Sequence, residues 1–138
     1  MPYMEIHTSL DLSKAQKHEI IEDIGQFVSI IPGKGKDITM YNLKSGCHIE
    51  FTGSDPNAAL NPCLFLSFIF CGTAPHEKKR QFVHDVSAML EKKYGLPSNR
   101  VFMNLVENES WGAWGDYLNL KVIEPYGNHG VRPVQQDS

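Results

Sequence analysis

The chain has no run of five or more Lys or Arg, no stretch of about 18 apolar residues, and no basic leader followed by an apolar segment at its N-terminus. Each absence removes a class of function. With a formal net charge of -3 and a pI near 6.0, there is no cationic field to hold a polyphosphate, and nucleic acid is not an expected partner. A membrane is not an expected partner either. The cytosol is the expected compartment, with an unconventional secretion route left open. Cysteine is scarce: Cys47, Cys63 and Cys71 are odd in number and show no CxxC spacing. That argues against a disulfide framework or a zinc site and for three small buried hydrophobes. The six histidines, at positions 7, 18, 48, 76, 84 and 129, show neither HExxH nor a Cys-flanked metal spacing, and no cofactor is expected. His76 and His84 fall off the apolar face of their segment and are expected in solvent.

What is present is the balance of one ordinary globular domain: 138 residues, 41% hydrophobic and 21% charged. The domain is expected over residues 1–124, because 125–138 are rich in Gly, Pro, Asn and Gln and read as a flexible tail. Strand character starts almost at once, in the alternating Pro2 to Thr8. Ser13 with Gln16 makes a capping-box pattern, and Ile20, Ile24, Phe27, Val28 and Ile31 recur at helical spacing until Pro32-Gly33. A second strand is expected over Asp37 to Leu43, with a short one at Cys47 to Thr52 before the turn-rich Gly53 to Asn57. The order then repeats. Cys63 to Cys71 is an almost unbroken apolar run of strand length. Thr73 and Pro75 open a helix whose face is Phe82, Val83, Val86, Met89 and Leu90, Gly95 and Pro97 end it, and Val101 to Val106 supplies the next strand. Successive strand, helix, strand units pair their strands in parallel with right-handed crossovers. The expected fold is α+β: two repeated β-α-β units forming one four-stranded sheet with two helices on one face. Beyond Val106 the pattern loosens around Trp111 and Trp114, with a short strand at Leu118 to Ile123.

Several of these residues together resemble the tautomerase superfamily, in its macrophage migration inhibitory factor and D-dopachrome tautomerase branch. The likeness runs over residues 2 to 118. It is carried by Met1-Pro2 leading straight into a strand, by Phe51-Thr52-Gly53-Ser54 followed by Asn61-Pro62-Cys63, and by Gly72 closing the third strand. Its most specific part is Pro97-Ser98-Asn99-Arg100-Val101-Phe102-Met103-Asn104. The repeated unit matches that family's internal repeat. The resemblance implies a homotrimer with active sites at subunit boundaries, no cofactor, and keto-enol tautomerisation of small enolisable carbonyl acids of the phenylpyruvate type. It implies Pro2, bared by loss of Met1, as the catalytic base, aided by a Lys after the first helix. Strict counting puts Gly33 at that place, leaving Lys34, the nearer, or Lys36 to serve. It further implies Asn104, from a neighbouring subunit, as a substrate contact, and Phe102 where the family has Tyr, with the hydroxyl donor lost. Phe70 and Cys71 stand where the family reads Ser-Ile, and Trp114 with Trp111 falls at the aromatic rim. Cys63 is kept but its CxxC partner position is Leu66, so no thiol oxidoreductase activity is implied.

An N-terminal Pro is the only position at which a protein offers a secondary amine, and a base must be neutral at working pH to accept a proton. Burial and nearby cations disfavour the ammonium form, each unit of depression corresponding to about 1.4 kcal/mol. Phe70, Phe102, Trp111 and Trp114, with Lys34 or Lys36, are the expected sources of both effects. An amine tuned near neutrality balances availability against strength. The enolate oxygen needs preorganised donors or cations, the part expected of Lys34 and Asn104. The competing reading is a binding protein of the cytokine type with vestigial catalysis, favoured if Met1 stays attached. Hydration or decarboxylation ranks last, because Arg80, Arg100 and Arg132 make no evident carboxylate clamp.

Overall fold

A computed structural model of the chain describes residues 1–119. The end of the strand expected at Leu118 to Ile123 and the tail expected at 125–138 lie outside the described residues. Strand β1 (Pro2–Thr8) alternates buried and half-buried side chains along its whole length. Helix α1 (Lys14–Gly25) opens on the capping box: the Ser13 hydroxyl accepts from the Gln16 amide at 3.1 Å, and the Gln16 side chain accepts from the Ser13 amide at 2.8 Å. The helix ends earlier than its apolar spacing suggests. A Cβ on Gly25 would lie 2.6 Å from Cγ of Lys36 and 3.0 Å from the Tyr41 hydroxyl, so the returning chain crosses the helix end at a residue that must lack a side chain. Val28–Ile30 then continue as a 3-10 turn, which still delivers Val28 and Ile31 to the core.

Strand β2 (Met40–Lys44) is displaced from the expected Asp37 to Leu43. Lys36–Ile38 form a single 3-10 turn instead, closed by the Thr39 hydroxyl donating to the Gly35 carbonyl at 2.7 Å. No strand forms at Cys47 to Thr52. That segment is tied by isolated bonds, the Cys47 amide to the Thr8 carbonyl at 3.0 Å and the Phe51 amide to the Ala59 carbonyl at 2.9 Å, rather than by a ladder. Strand β3 (Leu64–Cys71), helix α2 (His76–Tyr94) and strand β4 (Val101–Asn108) follow as the sequence suggests. Gly95, at φ 71°, takes the left-handed position that stops α2. The last described element is a hairpin of β5 (Ser110–Ala113) and β6 (Asp116–Asn119); the sequence pattern was loose over β5, and the strand expected from Leu118 overlaps the end of β6.

The four main strands lie in the order β2-β1-β3-β4. Each β-α-β unit pairs its own strands in parallel, and the antiparallel β1–β3 contact joins the halves. Side chains alternate across a strand, so Met4 and Ile6 of β1 share a face with Leu64, Leu66, Phe68 and Phe70 of β3. They meet Ile20 and Ile24 of α1 and Phe82, Val86 and Leu90 of α2 in one buried core. Both helices therefore cover one face, as the repeat suggested. His76 and His84 are exposed. Cys63 and Cys71 are buried and Cys47 half-buried, all three as free thiols. No described helix is long and apolar enough to cross a membrane.

Candidate functional site

The antiparallel register sets Pro2 opposite Phe70, both of them buried, with Cys71 next along β3. The turn after α1 brings a cation to the same place. The Lys34 amide donates to the Ile31 carbonyl at 3.1 Å, and the Lys34 Nζ lies 5.7 Å from the Phe70 ring centroid, within cation-π range. The chain here begins at Met1, which is only 7% exposed. Its amino group is pushed down to about 6 by burial first and by Lys34 second, with Cys71 acting the other way. Burial also lowers the Lys34 ammonium, against Cys71. It raises the Cys71 thiol, against Lys34 and the N-terminus. An amine, an ammonium and a thiol thus share one poorly solvated end of the sheet, each displaced from its ordinary titration, and such clusters are enriched at functional sites.

The hairpin covers this end. A cavity of about 330 Å³ is lined by Met1, Pro2 and Tyr3, by Ile38 and Met40, and by Trp111 and Trp114 of the hairpin. The Trp114 indole Nε1 donates to the Met1 Sδ at 3.2 Å. Ala113 pairs with Asp116, so the hairpin turns on Trp114 and Gly115 alone. Their φ angles of 57° and 77° are those of a turn that ordinarily takes Asn-Gly or Asp-Gly. Glu107, opposite Phe70 on β4, is the nearest carboxylate by register. It is already engaged, accepting from the Ala74 amide at 2.7 Å and from Lys79 at 3.0 Å. Burial raises its titration, yet those two partners prevail and hold it below the usual carboxylate range.

Of the residues singled out from the sequence, Pro2, Lys34, Phe70, Cys71 and Trp114 converge here. Lys36 does not: its Nζ pairs with the Glu22 carboxylate at 3.0 Å, on α1. Asn104 and Phe102 lie elsewhere in their own chain. Asn104 pairs with Ser67 and Phe102 with Phe65, on the sheet face away from the helices. Asn104 is thus three residues down the paired strands from the level of Phe70, about 10 Å at the usual rise, and two strands across from β1. Phe102 stacks edge-on against Phe51 with ring centroids 4.9 Å apart, so within one chain it is not among the groups that depress the terminal amine. Ile38 and Met40 were missed as cavity residues. They arrive through the Tyr3–Met40 pairing of β1 with β2, a register that no local sequence signal announces.

Met1 and Pro2 thus open on a cavity with aromatic walls, and Lys34 is near enough to the terminal amine to disfavour its charged form. Among the described residues, no group of three or more His, Cys, Asp or Glu could hold a metal ion. No curated protein sequence matches the chain. Three solved structures show its fold. MIF2 of Leishmania major is 19% identical, with 86% of this chain and 97% of that one covered and a TM-score of 0.72. The macrophage migration inhibitory factor of Trichinella spiralis is 16% identical, covering 84% and 99%, with a TM-score of 0.68. Pt0534, inactivated by 2-oxo-3-pentynoate, is 17% identical, covering 82% and 93%, with a TM-score of 0.68. The family model for macrophage migration inhibitory factor matches residues 1–115, which takes in both β-α-β units and the strand that opens the hairpin, and the chain therefore belongs to the macrophage migration inhibitory factor family.

Proposed function

We propose that this protein is a cofactor-free keto-enol tautomerase acting on small 2-oxo acids of the phenylpyruvate type, with the amine of Pro2 as general base once Met1 is gone. The observation that carries the reading is the setting of the first residue: a buried amine, lowered to about 6 beside Lys34, opening on a cavity with aromatic walls. Loss of Met1 moves the chain terminus to Pro2, which stays opposite Phe70 and takes over the burial and the Lys34 charge. In its neutral form, the secondary amine removes the proton from the carbon next to the carbonyl and hands it to the enolate oxygen, and the reverse transfer regenerates the ketone. The Lys34 ammonium stabilises the negative charge that develops on oxygen or draws in the substrate carboxylate. In a homotrimer, Asn104 and Phe102 of one copy complete the site of another, which accounts for their distance from Pro2 in their own chain. The relative Pt0534 is inactivated by a 2-oxo acid, the class of compound the reading requires. The enzyme acts in the cytosol.

A second reading, a binding protein of the cytokine type with vestigial catalysis, is favoured by one observation. Met1 sits buried under Trp114, and a chain that keeps Met1 has no secondary amine. Enolisation of phenylpyruvate by Met1-free wild type and Met1-free Pro2→Gly separates the two. Tautomerase function requires a loss of at least about a hundredfold in the variant; equal rates would leave the binding protein.

A further inference from the structure

Trp114 is the only described non-glycine residue with a positive φ. It fills the first loop position of a two-residue turn, where Asn, Asp or Gly would sit without strain. A bulky residue held in that region needs a compensating contact, and the inference runs from such an outlier to a use. One such contact is with residue 1. The indole N–H reaches the Met1 thioether at 3.2 Å. Met1 is 7% exposed while Trp114 itself is 60% exposed, so the tryptophan is the outer layer over a buried terminus. There is no slack beneath it, because the β1 ladder already begins at Pro2 with its pairing to Phe70.

We propose that Trp114 is a clasp on residue 1 that shields Met1 of the folded chain from removal, so that Pro2 is bared only when an aminopeptidase acts before the hairpin closes. Removal is hydrolysis of the Met1–Pro2 peptide bond: water supplies the hydroxyl to the departing methionine and the proton to the Pro2 nitrogen. An exopeptidase must draw the amine and side chain of residue 1 into its own site, and both are buried here. The hairpin, residues 110–119, lies C-terminal to both β-α-β units, so the terminus emerges from synthesis well before Trp114 exists to cover it. The chain then has two persistent forms, one trimmed and one capped. The consequence for catalysis rests on the Pro2 reading; the shielding does not, and its readout is mass rather than turnover.

The test uses full-length Met1-bearing protein, made with methionine aminopeptidase inhibited during expression. The folded protein is then incubated with purified methionine aminopeptidase and followed by intact mass, well below its melting midpoint. A synthetic peptide of the first five residues gives the unshielded rate. Trp114→Asn suits the turn and removes the clasp, and should lose Met1 at least about tenfold faster than wild type, as expected when local opening limits cleavage. Trp114→Phe keeps a ring but no N–H donor and should fall between them. Equal rates in wild type and Trp114→Asn overturn the proposal in either form. If both match the peptide, Met1 is not shielded; if both stall, the β1 ladder alone shields it.

Discussion

At the Leu64–Val101 end of the paired strands β3 and β4, Arg100 is buried with its guanidinium donating to the carbonyls of Pro62 at 3.3 Å, Asn61 at 2.7 Å and Phe51. At the Cys71–Asn108 end, the buried Met1 terminus lies beside the half-buried Lys34, and each amine is held below its ordinary titration. Both ends place positive charge where water is scarce. At the first, backbone acceptors surround the cation, and the group staples the 51–62 loop to the sheet. At the second, the Lys34 charge bears on the terminal amine, and Glu107, opposite Phe70, accepts from Lys79 and the Ala74 amide. The buried Arg100 serves the architecture, whereas at the other end burial first and the Lys34 charge second disfavour the ammonium form of the terminal amine.

Arg100→Met should cost about 3 kcal/mol or more, because three loop carbonyls lose a charged donor. A fall in the denaturant midpoint, with the slope unchanged, would show it. Lys34→Met, in Met1-free protein, should lower phenylpyruvate turnover by about a hundredfold, as loss of a group stabilising a developing oxyanion does. The same variant should move the pH midpoint of kcat/KM upward, since it removes one of the two causes that depress the amine; an unchanged midpoint would detach Lys34 from the base. Asn104→Ala should cost about tenfold in turnover while light scattering still finds the assembly intact; unchanged activity would remove Asn104 from the mechanism. The smallest effect concerns stability in the Met1-bearing chain. Its amine titrates near 6 when folded against 8.0 ordinarily, so between those values the unfolded chain binds more protons. Stability should therefore rise from pH 6 to pH 8 and be lost again on acidification, with a shallower slope in Lys34→Met. Thermal midpoints across that range would measure it.

Much of the scaffold was legible because its signals are local. Ser13 and Gln16 cap α1, the apolar run into Cys71 is β3, and Gly95 stops α2. The departures have physical reasons of longer range. The apolar spacing from Ile20 to Ile31 is real, but Gly25 has to admit Lys36 and Tyr41, and the helix breaks there. The β5–β6 hairpin was hidden because its turn carries Trp114 in place of Asn or Asp, so the usual turn signal is missing. The candidate site was legible only in part and mainly through family resemblance. Pro2, Phe70 and Cys71 come together through sheet register, Lys34 through the turn after α1 and Trp114 through the hairpin, features that composition and spacing do not encode. The choice between Lys34 and Lys36 could not be made by counting along the chain. In the structure Glu22 engages Lys36, and Lys34 lies over Phe70.

The central claim is that the working base is the amine of residue 2 and not that of residue 1. The most direct measurement is the phenylpyruvate tautomerisation rate of preparations whose Met1-free fraction has been fixed by intact mass, from fully capped to fully trimmed. The rate should be proportional to the trimmed fraction, with no turnover above buffer in the fully capped protein. Equal activity in capped and trimmed protein would contradict it, because the secondary amine of Pro2 would then not be the base.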